Sequence, residues 1–144
     1  MNSTISTPDP PMKSLFAVTA AIEAGAGVAL VALPSLVSRL LLGSSLNGPA
    51  ELTLARVAGV ALFVLGTACW LARHDGHSSA ATGLVGAMAI YNAAIATVLV
   101  YAGAALGLSG IGLWPVVLVH AVMTAWCVIR LLHTPRPSRN HPDH

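Results

Sequence analysis

Residues 15–33, LFAVTAAIEAGAGVALVAL, form an apolar run that carries a single charged residue, Glu23. A helix that crosses a bilayer needs roughly 20 predominantly apolar residues, and this run meets that length. Three more follow it: residues 52–72 around Arg56, 80–106 around Asn92 and 113–132 around His120. The chain therefore reads as an all-α membrane protein, a four-span antiparallel transmembrane helix bundle. Each span carries a strongly polar residue inside it, and such groups are costly in hydrocarbon and face a bundle interior or a cavity.

Composition supports this class. Of 144 residues, 56% are hydrophobic and only 8% are charged, against about 25% charged in a soluble domain. The mean hydropathy is +0.77. A net charge of +2 is too small to point to nucleic acid. The first run is too long for the 7–15-residue apolar core of a signal peptide, and no A-x-A site closes it. It reads as a retained span.

Residues 1–14 are polar and Pro-rich, and residues 133–144 are similar, so both read as disordered ends around one transmembrane domain at 15–132. After the first span, Pro34 opens SLVSRLLLG, an amphipathic piece expected to lie in the interface plane as a short helix. Pro49 and Glu51 suit the first turn of the next helix. Lys13, Arg73, Arg130, Arg136 and Arg139 fall on one side of a four-span chain, and Arg39 falls on the other. This bias puts both termini in the cytoplasm. The expected location is the bacterial inner membrane, with the lipid bilayer as the first partner.

Ala17, Ala21, Gly25 and Ala29 form a small-xxx-small ridge on the first span, a device for close helix approach within the bundle or in a homo-oligomer. Gly83 with Ala87 and Ala89 with Ala93 repeat the spacing in the third span.

A rise of about 1.5 Å per residue puts Glu23 ~15 Å below the outer end of its span, Arg56 ~6 Å, Asn92 ~16–20 Å and His120 ~10 Å. An isolated Glu or Arg at such depth costs at least ~2–3 kcal/mol on insertion scales. The expectation is a Glu23–Arg56 ion pair, with Asn92 and His120 completing a polar pocket open to the outer face. Tyr91, beside Asn92, is a further candidate for its lining. The plainer alternatives are that these groups only fix helix register, and that Arg56 extends alone to the interface.

Other features are weaker. Cys69 and Cys127 read as reduced, structural residues, with a disulfide or redox pair as the alternative. His74, Asp75 and His77 in RHDGH read as a solvated turn, and no metal site is expected. No nucleophile elbow, phosphate loop, HExxH or CxxCH occurs; the first reading is non-enzymatic, with general acid–base work at Glu23 and His120 as the alternative.

Glu23, the LLGSSLNGP stretch, and ARVAGVALFVLGTACW with Arg56, Gly59 and Gly66 resemble small DoxX-like four-span bacterial membrane proteins. The likeness covers residues 15–132. It implies a four-helix membrane bundle and, through relatives linked to quinone-coupled redox systems, a quinone as the conceivable cofactor. A Glu in the first of four spans is also similar to small multidrug transporters, which exchange protons for cations. The leading expectation is an accessory subunit or small-molecule binder with an intramembrane polar pocket. Its rivals are a proton-coupled transporter acting as an oligomer through Glu23, and a quinone-linked redox subunit.

Overall fold

The computed structural model describes residues 10–75 and 78–133. Among them are five helices and no strand: α1 Pro10–Ala32, α2 Pro34–Leu42, α3 Pro49–Ala72, α4 Ser79–Ala104 and α5 Leu113–His133. All but α2 are long and apolar enough to span a membrane. The protein is thus an all-α, four-span bundle with a short interfacial helix after the first span. Large apolar side chains point outward, Leu71, Ile90 and Leu132 being 72%, 74% and 78% exposed. Such a surface fits lipid and not water.

The helix ends follow local chemistry. α1 starts at Pro10, so residues 10–14, read as part of a disordered end, are helical. Proline is favoured in a first turn because its missing N–H lacks a helical partner there anyway. Pro34 separates α1 from α2, since it restricts the residue before it to non-helical backbone and Leu33 takes φ −132° and ψ 53°. Gly43 ends α2 at φ +77°, a left-handed conformation that costs glycine little. Before α3, Glu51 Oε2 accepts the backbone N–H groups of Asn47 and Gly48 at 3.1 and 3.3 Å. Before α4, Ser78 Oγ accepts the Ala81 N–H at 3.0 Å and donates to Asp75 Oδ2 at 2.7 Å.

Close backbone approach is concentrated in two antiparallel pairs, α1 with α3 and α4 with α5. In the first pair, a methyl group added to Gly27 would lie 2.6 Å from the Gly59 carbonyl oxygen, and one added to Gly66 would lie 2.7 Å from the Ala24 nitrogen. Small residues at these positions let the backbones touch where the hydrophobic effect offers no drive. The contact therefore runs through Ala20, Ala24 and Gly27 and not through the ridge read from the sequence. Ala21 and Gly25 of that ridge are exposed, and a methyl on Gly25 would meet nothing within 4 Å.

The two pairs meet through side chains. Leu15, Phe16 and Ala20 of α1, Cys69 of α3, Ala81, Val85, Met88 and Ala89 of α4, and Met123 and Cys127 of α5 form one apolar core. It occupies the half of the bundle where α1 begins and α3 ends, the end that carries Lys13, Arg73 and Arg130. At the opposite end the α2 region and the α4–α5 loop interlock. The Gly112 N–H donates to the Leu40 carbonyl at 2.8 Å, and Gly110 sits against the Leu40 and Leu41 backbone. Ser35, Ser38 and Arg39 hold α2 to the strip after it, through Leu46 O, Ser44 O and Ser45 Oγ.

Candidate functional site

A polar layer lies next to the apolar core, near mid-span. Its first member is Glu23, halfway along α1 on the stripe that also buries Leu15, Phe16, Thr19 and Ala20. That stripe recurs at three- and four-residue steps, one face of a helix, and it faces the other pair. Glu23 is 3% exposed. Its Oε2 accepts the Tyr91 hydroxyl at 3.1 Å.

The next residue of α4, Asn92, is 1% exposed. Its Nδ2 donates to the Met88 carbonyl at 2.8 Å, the i to i−4 bond that short polar side chains form within helices. This bond fixes the amide orientation and leaves Oδ1 as an acceptor. His120 Nδ1 lies 2.7 Å from that Oδ1, so Nδ1 carries the proton and donates. In the neutral ring Nε2 is then an acceptor. The Tyr91 and His120 rings meet edge to face, 6.0 Å apart at 78°. Glu23–Tyr91 and His120–Asn92 are thus two hydrogen-bonded pairs over three helices, set side by side by the Tyr91–His120 ring contact, and the Glu23–Tyr91 bond joins the two helix pairs.

Arg56 is not in it. It is exposed and makes no ion pair among the described residues, so the expected Glu23–Arg56 pair does not form. The register of α1 on α3 explains this. Gly27 faces Gly59 and Phe63, and Ala24 faces Gly66, so Glu23 is level with Leu65. Arg56 lies nine residues before Leu65, towards the start of α3, about 13 Å away at 1.5 Å per residue. Its long side chain extends outward, and a phenol replaces it as the partner of Glu23.

At the end of the bundle away from Lys13 and Arg73, the Gly112 N–H is bonded to the Leu40 carbonyl and Gly110 lies against the Leu40 and Leu41 backbone. Every fully buried side-chain nitrogen or oxygen among the described residues has a hydrogen-bond partner. Cys69 and Cys127 are free thiols, each 0% exposed within the apolar core. Among the described residues no three His, Cys, Asp or Glu side chains converge to hold a metal ion. His74 and Asp75 are exposed, while His77, Arg136 and Arg139 lie outside the described residues.

Two participants were not singled out from the sequence. The Met88 carbonyl anchors Asn92, a role that the four-residue spacing allows. Gly27 sets the register that separates Glu23 from Arg56, and it was masked by the abundance of Ala and Gly along α1.

Fold and site together define a multi-pass membrane protein, a four-helix bundle with a carboxyl–phenol pair and an imidazole–amide pair in one mid-span layer. No protein-family model, curated protein or solved structure matches this chain. The functional reading rests on this geometry.

Proposed function

We propose that this protein is a small-molecule binder or accessory subunit of a membrane assembly, and that the layer of Glu23, Tyr91, Asn92 and His120 is its recognition site. The single observation behind this is the buried carboxyl of Glu23, set between the two helix pairs and met by a neutral phenol in place of a cation. A carboxyl so placed and the His120 Nε2 offer acceptors to a ligand that brings hydrogen-bond donors, such as an amine or a hydroxyl compound. Helix pairs joined by side chains open more readily than backbones packed glycine to glycine, and this gives a ligand a lateral route to the layer. The test is mass spectrometry of the organic extract from protein purified in mild detergent. A small molecule retained by wild type and lost in both Glu23→Gln and His120→Ala supports the reading. An identical extract from all three overturns it.

A second reading is favoured by the position of Glu23 at the junction of the pairs. There, proton exchange at the carboxyl would couple to their separation, as proton-coupled transport requires. Reconstituted vesicles carrying a pH-sensitive dye test it. Proton movement seen with wild type and abolished in Glu23→Gln favours transport over binding alone.

A further inference from the structure

A groove of about 230 Å³ runs between α1 and α3, open at the exposed Ala21, Thr67 and Trp70. Its walls are Ala20, Ala21, Ala24, Gly66 and Thr67, and Trp70 stands at one end. The groove exists because five small residues line two helices drawn together at Gly66. The Thr67 hydroxyl is satisfied by the Phe63 carbonyl at 2.9 Å, so the walls present hydrocarbon. Beyond Trp70, the Arg73 guanidinium lies 3.8 Å from the centroid of the indole ring, and its Nη1 donates to the Trp70 carbonyl at 2.5 Å. These contacts hold the cation at the mouth of the groove. Five N–H donors are available on a guanidinium, so most remain free for another partner.

The charges near this mouth are few. Lys13 is exposed at the start of α1, at the same end of the bundle. His74 and Asp75 follow Arg73, and Asp75 Oδ2 accepts from Ser78 Oγ. Arg73 makes no carboxylate ion pair among the described residues.

We propose that this groove is a binding site for one anionic phospholipid, with an acyl chain along the Ala20–Ala24–Gly66 walls and the phosphate on Arg73. The apolar walls require a ligand with a hydrocarbon chain, which excludes free phosphate. The stacked guanidinium supplies the charge complement, because its planar donors match phosphate oxygens. The position is also right. Trp marks the membrane–water interface, and basic pockets between spanning helices take anionic head groups.

The test uses the full chain with Trp114→Phe and Trp126→Phe, which leaves Trp70 as the sole indole, reconstituted in nanodiscs. Brominated phosphatidylglycerol and brominated phosphatidylcholine are compared at equal, low mole fraction as quenchers of Trp70 fluorescence. The expected result is at least threefold stronger quenching by the anionic lipid. Arg73→Gln should bring the two lipids level, and Ala21→Phe, which fills the groove from an exposed position, should weaken quenching by the anionic lipid. Equal quenching by both lipids without any substitution overturns the proposal. Quenching by neither lipid, with the chain self-associated, overturns it in favour of a second copy in the groove.

Discussion

The Tyr91 hydroxyl donates to Glu23 Oε2 at 3.1 Å and so ties the third span to the first. This bond is a direct polar link between the α1–α3 pair and the α4–α5 pair. Hydrogen bonds between spanning helices average about 0.6 kcal/mol and reach about 1.7. A thermal or denaturant double-mutant cycle in detergent on Glu23→Leu and Tyr91→Phe, each of which removes one partner of the bond, should therefore give a coupling of about 0.5–1.5 kcal/mol. The same cycle on Glu23→Gln and Arg56→Gln should be additive within about 0.5 kcal/mol, the limit for sites without a shared partner. A large coupling between Glu23 and Arg56 would contradict the register of α1 on α3.

That register makes a sharper prediction at the glycines. A side chain on Gly59 meets the Gly27 carbonyl oxygen at 2.8 Å and the Val31 nitrogen at 2.9 Å, both backbone atoms that cannot move aside. Gly59→Val should destabilise the bundle by about 2 kcal/mol or more, within the range for overpacked interiors. Gly25→Ala meets open space and should be neutral or slightly stabilising, since alanine favours helix. Unfolding midpoints of the two variants decide the matter. If Gly25→Ala were the damaging change, the ridge read from the sequence would be the true contact.

The four spans were legible because length and apolarity alone define them. The α2 helix was legible because Pro34 and the Gly43 region bracket an amphipathic segment. Glu23, Asn92 and His120 stood out as polar groups in hydrocarbon, and the structure brings all three into one layer. The partner of Glu23 was not legible. Charge complementarity favoured Arg56, but the choice depends on the rotation and stagger of α1 against α3. Alanine and glycine occur on several faces of α1, so the sequence offers more than one seam. The Gly27–Gly59 contact selects one of them and carries Arg56 out of range.

Asn92 and His120 should behave as a unit. Asn92→Leu removes the acceptor of the His120 Nδ1 proton while filling a similar volume. A buried donor left without a partner costs about 1–3 kcal/mol. His120→Leu removes the donor instead, and the double substitution replaces both partners by apolar groups, which is the least costly of such losses. The double variant should thus be less destabilised than the sum of the single ones, by about 1 kcal/mol. Strict additivity would mean that the 2.7 Å contact contributes nothing.

Cys69 and Cys127 are 0% exposed in the apolar core, and thiol reagents act on accessible thiolates. Both should resist maleimide labelling in the folded protein and react once it is unfolded in dodecyl sulfate. Fast labelling of either thiol in mild detergent would show that the half of the bundle holding the apolar core opens.

The interlock at the opposite end predicts a local effect. Gly110 rests against the Leu40 and Leu41 backbone, and Gly112 donates to the Leu40 carbonyl beside it. A bulkier residue at 110 cannot keep that approach, because the atoms it meets are main chain. Gly110→Val should break the Gly112–Leu40 bond and free residues 105–112 and the C-terminal turn of α2. The α4–α5 pair has its own close contacts, at Gly103 against Leu113 and Trp114, and the apolar core lies at the other end. Hydrogen exchange should therefore rise at residues 40–43 and 105–112 and stay unchanged at residues 81–92. If protection fell throughout α4 and α5 as well, the strip would be holding the two helix pairs together and not merely closing the end of the bundle.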